Sequence, residues 1–301
     1  MPLDERASWS PFYAPVRILR CRLAESPVIA INVHCSKAHH RSVGVAIALP
    51  TTASTQPTRN PTTRVLLFTV RYRRVIDLAA FRPAAVIFDL DGTLVDNMRW
   101  HARAFEAFVA RHGLPAFTME TRRTIDGKRN REIFPILFGR EMPIEEIRAF
   151  EREKEGTYRE LSRGGLAPIA GATRLLDRLE ASRIPVAVAT SAPAENVTHT
   201  LAEVGLADRL PVIVRGDEVP RGKPSPDVFL QAAKVLSTDP ARCLAFEDAP
   251  LGVAAACAAG MCCIAIRSTF SEASFAAATP PPHATVEDFD DYLSSHGHWL
   301  V

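Results

Sequence analysis

The sequence predicts an α/β protein built on a doubly wound parallel sheet, with a block of helices inserted after the first strand. Three features carry that expectation. Short apolar runs recur from Ala84 onward, as strands covered on both faces require. The segments between these runs have helical composition and spacing, and strands alternating with helices imply parallel pairing. Residues 98–164, after the first run, hold no strand pattern.

The first strand is expected at Ala85–Asp89, the others at Pro185–Thr190, Pro211–Val214, Cys243–Glu247 and Cys262–Ile266. Helices are expected at Ala172–Ala181, Glu195–Val204, Asp227–Leu236 and Leu251–Ala259. Gly205 and Gly260 stand where two of these should end, because glycine takes the left-handed cap conformation without strain. The block 98–164 is rich in Arg, Glu and Phe, with Trp100, Ala104, Phe105 and Phe108 at helical spacing, and reads as a helical cap. The expected domains are therefore a Rossmann-like core of residues 83–97 and 165–301, a cap of residues 98–164, and an N-terminal extension, 1–82.

That extension has a different character. Residues 1–82 carry twelve Lys/Arg against four acids, whereas residues 83–301 carry 24 against 30. The acidic bulk lacks the basic field that steers nucleic acid, so no nucleic-acid partner is expected. Pro50 to Thr63 resembles a flexible linker. Val43–Leu49 and Val65–Val70 have strand composition but nothing obvious to pair with. The extension is expected to be poorly ordered or an overlong gene start rather than an Arg-rich transit peptide. His34-Cys35 and His39-His40 lack the ligand spacing typical of zinc sites.

Six cysteines without a C-x-x-C pair fit free thiols in a reducing cytoplasm better than a disulfide framework. No run approaches the roughly 18 apolar residues of a membrane span, so no membrane partner is expected.

Four short segments close predicted strands and carry chemistry. Asp89 and Asp91 end the first strand, where the crevice of an α/β sheet binds ligands. Carboxylates this close repel, which calls for a cation between them. Thr190-Ser191 places small hydroxyls beside a helix start, suited to an anion. Lys223, in the loop Arg221-Gly222-Lys223-Pro224-Ser225-Pro226-Asp227, offers a point charge for a phosphoryl group. Glu247-Asp248 forms a second acidic pair, suited to complete a Mg²⁺ shell. Each has an ordinary alternative as a turn, a cap or a solvated charge. All four in chain order, each closing a strand, make one site.

This set resembles the haloacid dehalogenase-like (HAD) superfamily. Asp89-Leu90-Asp91-Gly92-Thr93-Leu94-Val95 is similar to its first motif, Thr190 to its second, Lys223 to its third and Glu247-Asp248 to its fourth. The resemblance covers about Ala84 to Ala278. His101-Ala102-Arg103-Ala104-Phe105 and Phe246-Glu247-Asp248-Ala249-Pro250-Leu251-Gly252-Val253 look most like the β-phosphoglucomutase-like and sugar-phosphate phosphatase branch. The resemblance implies that Asp89 is a nucleophile forming an aspartyl-phosphate and Asp91 an acid/base. Asp91 separates phosphoryl transfer from dehalogenation, which lacks it. Mg²⁺ is implied at Asp89, the main-chain carbonyl of Asp91, Asp248 and Glu247, with Thr190 and Lys223 stabilising the phosphoryl oxygens.

Substrate choice is expected from the cap. Asp126-Gly127-Lys128-Arg129-Asn130-Arg131-Glu132 resembles the family's substrate-facing cap loop, with Gly127, Lys128, Arg129 and Asn130 as candidate contacts and Ser191, next to Thr190, as another; a solvated helix start is the alternative reading of the charges. His101 matches a branch histidine expected to tune Asp91, or else to pack. The mutases carry Lys where this chain has Asp126, and Ser where it has Ala249. Both departures favour a phosphatase of small phosphate esters over a β-phosphoglucomutase-type phosphomutase. A regulatory protein with a vestigial core is disfavoured because every catalytic position is filled. A monomer or weak homodimer is expected.

Overall fold

The computed structural model describes residues 76–300 and, within residues 1–75, only the backbone of four strands. Of these, β1 (Arg17–Leu23) pairs antiparallel with β2 (Ser26–Asn32), and β3 (Val43–Leu49) with β4 (Arg64–Val70). The two runs that the sequence left without partners thus pair with each other, from Val43 opposite Val70 to Leu49 opposite Arg64. The Pro/Thr-rich stretch between them hid the pairing, although loop closure grows only slowly more costly with length. The candidate ligands His34, Cys35, His39 and His40 lie outside the described residues.

By its contacts the chain divides into Met1–Val75 and Ile76–Val301. The boundary expected at 82/83 therefore falls earlier. Ile76, Leu78 and Phe81 are partly buried against the core of the second unit, and His298 reaches the carbonyl of Ala79 at 2.8 Å. Three apolar side chains scattered over six residues show no period, so composition alone could not attach them.

The second unit is a six-stranded sheet. Strands β5 (Ala85–Phe88), β6 (Val186–Thr190), β7 (Ile213–Arg215), β8 (Cys243–Glu247), β9 (Cys262–Ile266) and β10 (Ala284–Val286) lie in the order β10-β9-β8-β5-β6-β7. Every pairing in it is parallel. The sequence missed β10, a short edge strand just past the Pro-rich 280–282.

Helices follow the strands as alternation requires. The block inserted between β5 and β6, referred to below as the cap, holds α1 (Met98–Arg111), α2 (Met119–Ile125), α3 (Asn130–Phe138) and α4 (Ile144–Ser162). The core adds α5 (Ala172–Ala181), α6 (Ala194–Glu203), α7 (Asp227–Val235), α8 (Pro250–Ala258), α9 (Glu272–Ala276) and α10 (Phe289–Ser295). Side chains on β5 alternate faces, which sets the two layers. Val86 and Phe88 join Leu175, Leu179, Leu201 and Phe289 in one cluster; Ala85 and Ile87 join Phe229, Val253 and Ala256 in the other. Burying each large side chain of this kind stabilises by about 1.5–3 kcal/mol. The cap has its own small core, where Phe108 packs with Phe134, Phe138 and Phe150.

Cys243, Cys262 and Cys263 are buried and Cys257 is half-buried. Among the described residues no helix is long and apolar enough to cross a membrane.

Candidate active site

The sheet reverses its winding at β5, whose neighbours are β8 and β6, and the crevice at that switch point is where ligands bind in such sheets. Asp89 follows β5, Thr190 ends β6, and Glu247 ends β8 with Asp248 after it. Parallel registry brings these ends together: Phe88 lies opposite Val188 and Phe246.

Asp89, Glu247 and Asp248 are buried, and one carboxylate oxygen of each lies within 4.8 Å of the others. The Lys223 ammonium donates to Asp89 Oδ1 at 2.5 Å and to Glu247 Oε1 at 2.6 Å. Glu247 Oε2 accepts the amides of Asp248 and Ala249 at 2.9 and 3.0 Å. One cation against three carboxylates leaves an excess of negative charge. Burial pushes Asp89 up to about 8, with Lys223 acting against the shift and Glu247 with it. Burial, then repulsion from Glu247 and Asp89, lifts Asp248 well above the usual range. Asp248 Oδ2 is buried with no hydrogen-bond partner. An orphaned buried oxygen beside two further carboxylates fits a hard divalent cation such as Mg²⁺.

Glycine is required at two points around this cluster. Gly92 has φ +76°, and a Cβ there would run into the Asp248 carboxylate. At Gly252, in the first turn of α8, a Cβ would overlap the Glu247 carboxylate.

Asp91 stands apart from the cluster. Its Oδ1 accepts the Asn97 amide at 2.5 Å, with His101 Nε2 at 3.7 Å. Burial alone would raise this carboxyl, but His101, Asn97 and Lys154 together hold it below the ordinary range. The His101 ring stacks on Tyr158 with centroids 3.8 Å apart, and its Nδ1 lies 3.0 Å from the Lys154 ammonium. Lys154 also donates to both oxygens of Glu155 at 3.1 Å. Glu155 further accepts from Asn130 at 2.8 Å and from Asn196, on the core helix α6, at 2.6 Å.

Asp89, Asp91, His101, Gly127, Lys128, Asn130, Thr190, Ser191, Glu247 and Asp248 line one cleft between cap and core. Thr190 Oγ1 accepts the amide of Ala192 at 3.0 Å, and Ser191 Oγ donates to the Gly127 carbonyl at 2.7 Å. Asp126, where the mutases carry Lys, is buried on the cleft wall and paired with Arg122 at 2.9 Å.

Arg129 differs from the expectation of a substrate contact. It is outside the cleft lining, and its guanidinium donates to the carbonyls of Gly216 at 3.0 Å and Val219 at 3.2 Å. The physical reason is its place at the N-cap of α3, which turns its side chain toward the core loop rather than the cleft.

Lys154, Glu155, Tyr158, Asn97 and Asn196 escaped the sequence reading. A Lys-Glu pair inside a charged helix reads as a solvated face. The signal was spacing: Ile147, Lys154, Glu155, Tyr158 and Ser162 fall on one stripe of α4, and all are buried.

The haloacid dehalogenase-like hydrolase family profile matches residues 86–266, and the chain belongs to that family. Validoxylamine A 7'-phosphate phosphatase of Streptomyces hygroscopicus subsp. limoneus is 30% identical over 195 residues, 64% of this chain and 89% of the relative. Fructose-1-phosphate phosphatase YqaB of Escherichia coli is 30% identical over 188 residues, 62% of this chain and 97% of the relative. Among solved structures, CbbY from Rhodobacter sphaeroides in complex with phosphate superposes with a TM-score of 0.62 at 26% identity. That likeness covers 73% of this chain and 99% of CbbY.

Proposed function

We propose that this chain is a Mg²⁺-dependent phosphatase of small phosphorylated metabolites, sugar phosphates foremost, acting through an aspartyl-phosphate on Asp89. The observation that carries the reading is the division of labour between the two carboxylates. Asp89 belongs to the buried cluster with Glu247 and Asp248, while Asp91 has a separate set of donors. The named phosphatases among the relatives support the substrate class.

Asp89 attacks phosphorus, the bond to the leaving alcohol breaks, and Asp91 gives its proton to that alcohol. Asp91 then takes a proton from water, whose oxygen attacks phosphorus and releases phosphate and Asp89. The donors around Asp91 suit the second step, because they favour its ionised form. The phosphate dianion arriving beside it favours the protonated form needed for the first. Lys223 and the Thr190 hydroxyl face the charge on the phosphoryl oxygens. Asp89, Asp248 and the main-chain carbonyl of Asp91 would hold Mg²⁺, which supplies charge neutralisation between nucleophile and phosphate. Glu247, already bonded to Lys223 and two amides, serves mainly to fix that lysine.

Hydrolysis is favoured over phosphomutation because Asp126 puts a carboxylate paired to Arg122 on the cleft wall. The test is a panel of phosphorylated metabolites assayed for phosphate release with Mg²⁺ and with chelator. It includes β-glucose 1-phosphate, for which glucose 6-phosphate rather than free phosphate would indicate the mutase. No phosphate release from any ester with Mg²⁺ present would refute the reading.

A further inference from the structure

Arg129 sits at the N-cap of α3, a position that favours Ser, Thr, Asp or Asn because the cap side chain accepts a backbone hydrogen bond. Arginine has no acceptor. Glu132 supplies the reciprocal bond instead, accepting the Arg129 amide at 3.1 Å, and its carboxylate also pairs with the guanidinium. The buried guanidinium is thereby aimed across the cap–core boundary. Its Nη1 donates to the carbonyls of Gly216 and Val219, at 3.0 and 3.2 Å, and Arg131 adds a bond to Pro220 at 3.0 Å.

The loop that receives these bonds is shaped around them. A Cβ at Gly216 would lie 3.0 Å from Arg129 Cδ, and one at Gly222 would lie 2.6 Å from Arg129 Nε. The residue after Gly222 is Lys223, whose ammonium bridges Asp89 and Glu247. A rigid fork of donors on the cap therefore holds the carbonyls of the segment that delivers the core lysine.

We propose that Arg129 is a positioning residue: it clasps the 216–222 loop when the cap is seated, and so makes the placement of Lys223 conditional on cap closure. The clasp bears on phosphoryl transfer only through the phosphatase reading above. It assigns Arg129 to the timing of the site rather than to substrate recognition. An open cap leaves Lys223 without the fixed loop, so the charge arrangement is complete only when the cleft is covered.

Arg129→Ser tests this, since serine is favoured at the N-cap and removes only the fork. With the best phosphate ester of the panel, we expect kcat to fall at least tenfold while KM changes less than threefold. With Mg²⁺ and inorganic phosphate present, amide hydrogen exchange over 216–223 should be at least tenfold faster than in the wild type. Arg129→Lys, which keeps the charge and one reach to a carbonyl, should be intermediate in both, and is read alone if the serine variant does not fold. A rise in KM with kcat unchanged would overturn the proposal by making Arg129 a substrate contact. Unchanged exchange over 216–223 would overturn it too. The exchange readout needs no turnover, so it decides the clasp even if no phosphate ester proves to be a substrate.

Discussion

Asn97 donates its side-chain amide to Asp91 Oδ1 at 2.5 Å, and with its own Oδ1 accepts the amide of Gly92 at 3.0 Å. The same amide group also reaches the Tyr158 hydroxyl at 2.8 Å. One residue just before α1 thus ties the proposed acid/base to the glycine turn beside it and to the cap.

Replacing it should change the acid side of the pH profile. Asp91 is held below the ordinary carboxylate range, so its ionised form persists into acid. Such a group adds stability that is present above its unfolded pKa, near 3.9, and lost as pH falls through the lower folded value. Asn97→Ala removes a donor and lets the pKa rise. We expect the acid limb of the phosphate-release profile to move to higher pH, with kcat reduced about 10- to 100-fold as orientation is lost. An acid limb that stays in place would separate Asn97 from Asp91 function.

Metal binding should be coupled to protons in the opposite sense. Burial and mutual repulsion raise Asp89 to about 8 and Asp248 well above its usual range. For Asp89 the folded metal-free protein then binds more protons than the unfolded chain between pH 3.8 and about 8. Its stability consequently falls as pH rises through that window. A divalent cation must displace those protons to bind. Melting curves with and without Mg²⁺ should show a larger Mg²⁺ increment at pH 8 than at pH 6, and calorimetry should detect proton release.

Much of this site was legible because its residues close strands. Asp89 and Glu247 follow apolar runs that only a doubly covered sheet tolerates, and the sheet then brings them into register. Lys154 and Glu155 gave no such sign, because adjacent opposite charges in a helix ordinarily face water. What buries them is the pairing of α4 with the core through Asn196, a contact 41 residues away in sequence. Arg129 was legible as a charge near the cleft but not in its direction. That depends on carbonyls 87 and 90 residues further along the chain.

Gly252 gives a test in which sterics oppose helix propensity. Alanine is favoured over glycine inside a helix by about 1 kcal/mol, so a free site in α8 would gain from Gly252→Ala. Here the added methyl would meet the Glu247 carboxylate, which holds Lys223 and two amides. We expect a loss of at least 1 kcal/mol in urea unfolding and a tenfold or greater weakening of Mg²⁺ activation. A stabilised and fully active variant would show that the carboxylate can shift freely.

Removing the lysine should cost more stability than removing the proposed nucleophile. Lys223→Met leaves Asp89 and Glu247 buried together with no cation, and breaking a buried pair from one side costs roughly 3–5 kcal/mol. The loss should be larger at pH 8 than at pH 6: Lys223 is what holds Asp89 down to about 8, so without it the folded variant keeps a proton on Asp89 that the wild type gives up as pH rises. Asp89→Asn removes a charge from the same cluster instead. Its melting temperature should stay within a few degrees of the wild type, with turnover reduced at least 10³-fold. Denaturation curves for the two variants at both pH values separate these outcomes.

The start of the folded unit can be located by two truncations. Ile76, Leu78 and Phe81 pack against the cluster that contains Phe88, Leu179 and Phe289, and the carbonyl of Ala79 meets His298. A chain beginning at Ile76 keeps all of these contacts, whereas one beginning at residue 83 exposes the apolar surface they cover. Partial burial of three such side chains contributes on the order of 1 kcal/mol each, so residues 83–301 should be less stable than 76–301 by roughly 2–4 kcal/mol. Equal stability of the two fragments in urea would place the boundary after Arg82, as composition alone suggested.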